Sequence, residues 1–329
     1  MPAEWTRHKA TYIAWPAYRA IWGDAYDEAT AAYESLARTI AHFEPVRLLA
    51  APKDVGLVRE RFRGTDSNVT VISVDIDDGW VRDNGPIYVR DDRGIQTIVK
   101  WRFNAWGAKH PYFNNDARLP VAIAQMDGLD WIDAPLVLEG GAICVDGEGT
   151  LLTTESVVLN PNRNPGLNKR EADECFKRYL GATKVIWLPQ GLCSDETDGH
   201  IDNLASFVAP GVVAALTCDD VSDENYHILK ENVAILSRET DARGRALSVT
   251  EIAQPDPIFE GLKRLTASYI NFYFVNGGVL VPVFGQGKDA EAMAMVKRLV
   301  QNRKVLPFRS DRLIVGGGGI HCVTQQLPI

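Results

Sequence analysis

Five times along the chain a small or polar break leads into a short apolar strand and a turn. The segments are DNGPIYVRDDRG (83–94), EGGAICVDGEG (139–149), IDNLASFVAPG (201–211), NGGVLVPVFG (276–285) and GGGGIHCVTQ (316–325). Recurrence of one supersecondary unit is the strongest constraint a sequence can place on its fold, because each copy must bury its apolar face against the others. Between the breaks, helical periodicity runs over 24–43, 53–62, 169–179, 224–240 and 288–301. Runs rich in Val, Ile, Leu and Thr predict strands over 46–50, 69–74, 95–100, 150–159, 184–188, 212–216 and 304–308. The expectation is five copies of a strand–helix module about a common centre, in one α/β domain over residues 1–329, with no low-complexity linker.

Composition narrows the function classes. Lys and Arg number 35 against 43 Asp and Glu, a formal net charge of −8, and no basic run offers a face for nucleic acid. The longest apolar runs, 211–216 and 279–284, are too short to span a bilayer. The opening MPAEWTRHKA is polar and charged and predicts no export signal. Five cysteines, at 144, 175, 193, 218 and 322, form no CxxC pair, which argues against a disulfide framework or structural zinc and predicts reduced thiols in the cytoplasm.

Several breaks carry groups with chemistry. Cys322 follows four glycines, where backbone can approach a small ligand closely. The rival reading is a buried strand cysteine, the commonest fate of a free thiol. His200 and Asp202 in DETDGHIDN (195–203) fall on one side of an extended strand by period-2 alternation, an acid/base beside a cation binder. An HxD metal pair is the alternative there, but no second His-rich cluster supplies the remaining ligands. DIDDGWVRDNGP (75–86) places Trp80 among four aspartates, where the indole makes a flat wall for a cation. Glu139 enters an apolar strand ahead of two glycines, so it must be paired or functional. Thiol, imidazole and carboxylates on glycine-rich strand ends are what attack on a guanidinium carbon needs. Carboxylates fix the cation, the thiolate attacks, and the histidine moves protons in turn.

At this point the chain resembles the agmatine deiminases, within the guanidine-modifying superfamily that also holds the bacterial-type peptidylarginine deiminases. The opening MPAEWTRHKATYIAWP and the motifs GWVRDNGP, FNAWG (103–107), VLEGG, LLTTE, NRNP, VIWLP, DETDGHIDN, SYINFY (268–273) and GGGGIHCVTQQ carry the likeness over nearly the whole length. The resemblance implies a five-fold pseudosymmetric α/β propeller of the pentein type with the site on its axis, and neither metal nor organic cofactor. It implies Cys322 as nucleophile, His200 as general acid/base, Asp83 and Asp202 as the grip on the guanidinium nitrogens, and Glu139 beside the histidine. Trp80 and Glu196 would line the channel toward a far amine, with Asp198 and Gly319 shaping the pocket. Asp198 and Gly319 each stand where the family has Asn, and the 249–268 stretch is short. The implied partner is a small cationic guanidinium compound, with neither nucleic acid nor membrane, and a homo-oligomer is left open. The implied reaction is hydrolytic deimination. Another small guanidino substrate, a non-catalytic binding protein, a cysteine amidase and a zinc hydrolase are the rivals.

Overall fold

The computed structural model describes residues 1–64 and 68–329. Five sheets repeat one topology: a short first strand runs antiparallel to a middle strand, and the middle strand runs parallel to a third. The units are Ile87–Arg90, Gln96–Arg102 and Asp130–Val137; Ile143–Val145, Thr150–Thr154 and Lys184–Leu188; Ala205–Ala209, Val212–Thr217 and Ser248–Ala253; and Tyr273–Val275, Gly278–Val283 and Lys304–Arg309. Both ends of the chain build the fifth. There Thr324–Pro328 pairs antiparallel with His8–Ala14, which runs parallel to Val46–Ala50, with Val69–Ser73 added at the edge. The mixed α/β architecture and the repeated module agree with the sequence.

A helix connects the middle and third strands of each unit, as a parallel pair requires. Lys169–Leu180 shows why such segments are helical. Asn168 and Glu171 form a capping box, Gly181 closes the far end in the left-handed region, and Ala172, Phe176 and Leu180 make one buried stripe at four-residue spacing. Middle strands such as Thr150–Thr154 and Gly278–Val283 are buried throughout, because helices cover one face and neighbouring units the other.

Four expectations need correction. The strand expected over 150–159 ends at Thr154, and Glu155–Val158 is a helical turn, so the apolar run spans two elements. The helix Leu119–Asp127 was not expected; nine residues with Pro at the start give a weak period. His200 and Asp202 do not lie on an extended strand, because Ile201–Asn203 is a 3-10 turn. The fourth break was placed one strand late. NGGVLVPVFG is the hairpin turn and middle strand of its unit, and the first strand follows SYIN at 268–271.

Candidate active site

Each unit contributes the residues just before or at the start of its first strand, and these segments converge. Asp83 lies on the turn Val81–Asn84, Glu139 precedes the turn Gly140–Ala142, His200 and Asp202 flank and occupy Ile201–Asn203, Asn271 precedes Tyr273–Val275, and Cys322 sits on the turn His321–Val323. Tight turns rather than strands present these groups. A strand would send alternate side chains away, whereas a turn aims neighbouring ones together.

All five groups predicted to be catalytic are buried. Glu139 and His200 are fully so, and Cys322, Asp202 and Asp83 expose 4, 4 and 6%. His200 stands between two carboxylates, with Nδ1 3.7 Å from Asp83 Oδ1 and Nε2 3.7 Å from Glu139 Oε2. Those separations are too long for hydrogen bonds. Cys322 Sγ lies 3.6 Å from Asp202 Oδ2. Asp83 is fixed by Trp106 Nε1, which donates to Oδ2 at 2.9 Å, and by the Gly141 amide, which donates to Oδ1 at 3.0 Å. Glu139 Oε1 accepts from Arg163 Nε at 2.7 Å. His200 Nδ1 and Nε2, Glu139 Oε2 and Asp202 Oδ1 are buried without a hydrogen-bond partner. Four orphaned polar atoms in one cluster is a large local cost for a folded protein, and it marks a place built to receive a polar ligand.

Electrostatics follow from that crowding. Burial alone would lower His200, but the charges of Asp83, Glu139 and Asp202 outweigh it and hold the imidazole up to about 9. Burial, opposed by His200 and reinforced by Asp202 and Glu139, pushes Asp83 up to about 6. Burial also raises Glu139, but His200 and Arg163 outweigh it and leave it below its usual value. Asp202 is likewise lowered: His321, His200 and Arg82 overcome its burial. Burial, Asp202 and Asp83 push the Cys322 thiol well up, against the pull of Asn271 and the Gly319 amide.

A cleft partly open to solvent leads to this cluster. Trp80, Asp83, Trp106, His110, Glu196, Thr197, Gly316, Gly317, Gly318 and Cys322 line it. The four glycines each meet a different neighbour, so side chains there would collide with the site. A Cβ would come within 2.4 Å of Trp22 at Gly316, 2.9 Å of Glu196 at Gly317, 2.8 Å of Trp80 and Cys322 at Gly318, and 2.4 Å of Asn271 at Gly319. Trp80 stacks on Trp22 at 5.5 Å and meets Trp106 edge-on at 6.4 Å, giving the aromatic wall.

Two residues expected at the substrate lie elsewhere. Asp198 does not line the cavity, and its carboxylate is engaged by Lys109 at 2.7 Å, Asn162 at 3.0 Å and Arg163 at 2.6 Å. Gly319 faces Asn271 rather than the cavity. Arg82 points away from the cavity from the helical turn Val81–Asn84. Its Nε donates to His321 O at 3.2 Å and its Nη1 to Gln326 Oε1 at 2.9 Å. Three residues of the site were missed. Asn271 Nδ2 donates to Cys322 Sγ at 3.4 Å, while Trp106 and Arg163 hold the carboxylates. FNAWG, NRNP and SYINFY held all three, but none carries a charge or spacing that assigns a role without the fold. Among the described residues, no three His, Cys, Asp or Glu side chains are grouped to hold a metal ion, and no helix is long and apolar enough to cross a membrane.

Comparison with known proteins gives one answer. Residues 1–328 match the family model of the Porphyromonas-type peptidyl-arginine deiminases. Agmatine deiminase of Stutzerimonas stutzeri is 39% identical, with all of this chain and 95% of the relative covered. Agmatine deiminase of Pseudomonas aeruginosa is 40% identical at the same coverage. Among solved structures, agmatine deiminase of Enterococcus faecalis superposes with a TM-score of 0.94 at 32% identity, covering 100% of this chain and 95% of that one. C. jejuni agmatine deiminase with substrate bound superposes with a TM-score of 0.90 at 28% identity, covering 99% and 95%. The chain therefore belongs to the family that unites the Porphyromonas-type peptidyl-arginine deiminases with the agmatine deiminases.

Proposed function

We propose that the chain hydrolyses agmatine to N-carbamoylputrescine and ammonia through a covalent amidino-thioether on Cys322. The observation that carries the reading is the set of orphaned buried atoms on His200, Glu139 and Asp202 beside the Cys322 thiol, at the end of a narrow acidic cavity. A planar cation with several N–H donors satisfies the two orphaned carboxylate oxygens, Glu139 Oε2 and Asp202 Oδ1, and the guanidinium is such a cation, while the two His200 nitrogens are left as proton donors beside it.

The resting site holds a raised thiol and a protonated imidazole. A guanidinium between Asp83 and Asp202 cancels the charges that keep Cys322 protonated, so the substrate itself favours the thiolate, and the thiol proton is lost to solvent as it binds. The thiolate attacks the guanidinium carbon, the C–N bond breaks, and His200 supplies the proton that lets ammonia leave. Water then loses a proton to His200 and attacks the same carbon. The C–S bond breaks and the ureido product departs. Glu196 on the cavity wall meets the far ammonium. We take the five repeated units as blades of a five-fold pseudosymmetric propeller around this centre, in a cytoplasmic enzyme. The common placement of the five converging turns supports the propeller.

The test is ammonia release from agmatine, with and without chelator, together with mass spectrometry of rapidly quenched enzyme. Turnover insensitive to chelation and an adduct on Cys322 are expected. Cys322→Ser should lose about 10³-fold or more in kcat while still binding agmatine. Substantial turnover in that variant, or an adduct on another cysteine, refutes the mechanism.

A further inference from the structure

The carboxylate assigned to the substrate's far end already has a cationic partner. Lys263 lies on a small hairpin in which Phe259–Glu260 pairs antiparallel with Lys263–Arg264, and its ammonium forms an ion pair with Glu196 Oε1. The other oxygen faces the glycine turn, since a Cβ on Gly317 would lie 2.9 Å from Glu196 Oε2. Glu196 lines the cavity and Lys263 does not. Through its ion pair with Glu196, Lys263 stands beside the cavity wall. Lys109 is held 2.7 Å from Asp198, so its charge is committed there.

The Lys263 side chain is four methylenes ending in an ammonium, the same group that ends agmatine. Its side chain is 48% exposed and that of Glu196 40%, so the pair is weak and exchangeable. We propose that Lys263 is a specificity-determining residue, an internal stand-in for the substrate's primary ammonium. It keeps Glu196 paired while the tail subsite is empty and yields when an ammonium-tailed guanidine enters. The inference rests on the agmatine reading and names the residue against which that substrate competes. The short 249–268 stretch matters here because it carries this hairpin.

The test uses the full chain and Lys263→Met, which keeps most of the stem and removes the charge. KM for agmatine should fall about threefold, the size expected for loss of one exposed competing ion pair, and the effect should lie in KM rather than kcat. KM for butylguanidine, which has the same four-carbon chain but no far amine, should not move. In a Glu196→Gln background the effect of Lys263→Met should vanish, which a purely structural role for the lysine would not produce. If agmatine is preferred over butylguanidine but Lys263→Met leaves its KM unchanged or raises it, the proposal fails and the substrate reading stands. If the wild-type chain does not prefer agmatine over butylguanidine, the tail reading fails and the proposal with it.

Discussion

Cys322 sits where a thiol is hard to ionise, and the groups around it decide when it does. Burial and the charges of Asp202 and Asp83 hold it protonated, and Asn271 and the Gly319 amide are the fixed opposing influences. Asn271 serves twice, since its Oδ1 also accepts the His321 amide at 3.0 Å and so ties the turn that carries Cys322 to the neighbouring unit. Replacing Asn271 with Ala should lower kcat by roughly 10²-fold, the usual cost of one preorganised donor. The acid limb of the pH–rate profile should move to higher pH, because the thiolate loses a stabilising donor; an unmoved limb would reduce Asn271 to a packing residue. Charge and glycine context made Cys322, His200, Asp202 and Glu139 legible in the sequence, whereas only the family resemblance singled out Asp83 among four neighbouring aspartates. Asn271, Trp106 and Arg163 were not legible, because a neutral amide, an indole and a lone arginine look like ordinary interior or surface residues until the fold brings them to a thiol or a carboxylate. Asp198 shows the converse. The resemblance implies that it shapes the pocket, but two basic side chains already neutralise its charge.

The element that fixes Asp83 is a turn of unusual hand. Ala105, Trp106, Gly107 and Ala108 all have positive φ, at 54, 56, 88 and 63°. Left-handed backbone costs L-residues about 1–2 kcal/mol each, so the turn is maintained by what it positions, the Trp106 indole on Asp83. Ala108 is exposed. Ala108→Gly should therefore stabilise the chain by about 1 kcal/mol in chemical denaturation with little effect on turnover, and a destabilised variant would count against strain. Further along the same connection, the 3-10 turn Asp116–Arg118 carries a pH dependence. Asp116 is buried, and its Oδ1 accepts the Asp77 amide at 2.8 Å. Burial, opposed by that hydrogen bond and aided by the charges of Asp77 and Asp78, raises its carboxyl to about 8. An acid raised on folding stays protonated in the native chain while the unfolded chain ionises near 3.8, so stability falls as pH climbs between about 3.8 and about 8. Asp116→Asn should remove part of that decline, and melting curves at pH 4, 6 and 8 that slope as steeply as wild type would refute it. At this scale, the expected strands match to within a residue or two apart from 150–159, whereas His8–Ala14, Asp130–Val137 and Ser248–Ala253 were not read as strands. The 3-10 turns that present the site were not legible, because three residues have no period to detect.

At the scale of the molecule, charge separates two guanidines that the reacting centre alone would treat alike. Asp83 and Glu196 line the cavity, and Asp202 and Glu139 stand at its end. The neighbouring cations are committed: Arg163 to Glu139 and Asp198, Lys109 to Asp198, and Arg82 to the opposite side against His321, Gln326 and Glu4. Lys263, paired with Glu196 on the wall, is a cation that a substrate carboxylate could compete for, and taking it would leave Glu196 without this partner. Arginine carries a carboxylate at the end where agmatine has only an ammonium. Bringing that anion among ionised carboxylates costs several kcal/mol unless a cation is released to meet it. At roughly 1.4 kcal/mol per factor of ten, kcat/KM for agmatine should exceed that for arginine by about 10²-fold or more. Glu196→Gln should narrow the gap from both sides, weakening agmatine through the lost far-end contact and relieving arginine of one repulsion while freeing Lys263. If arginine proves the better substrate of the wild-type chain, Lys263 is the carboxylate's receptor and the charge argument is wrong. If the gap is wide but unchanged in Glu196→Gln, discrimination lies deeper in the cavity, with Asp83 and its neighbours, and Glu196 contributes only to the wall.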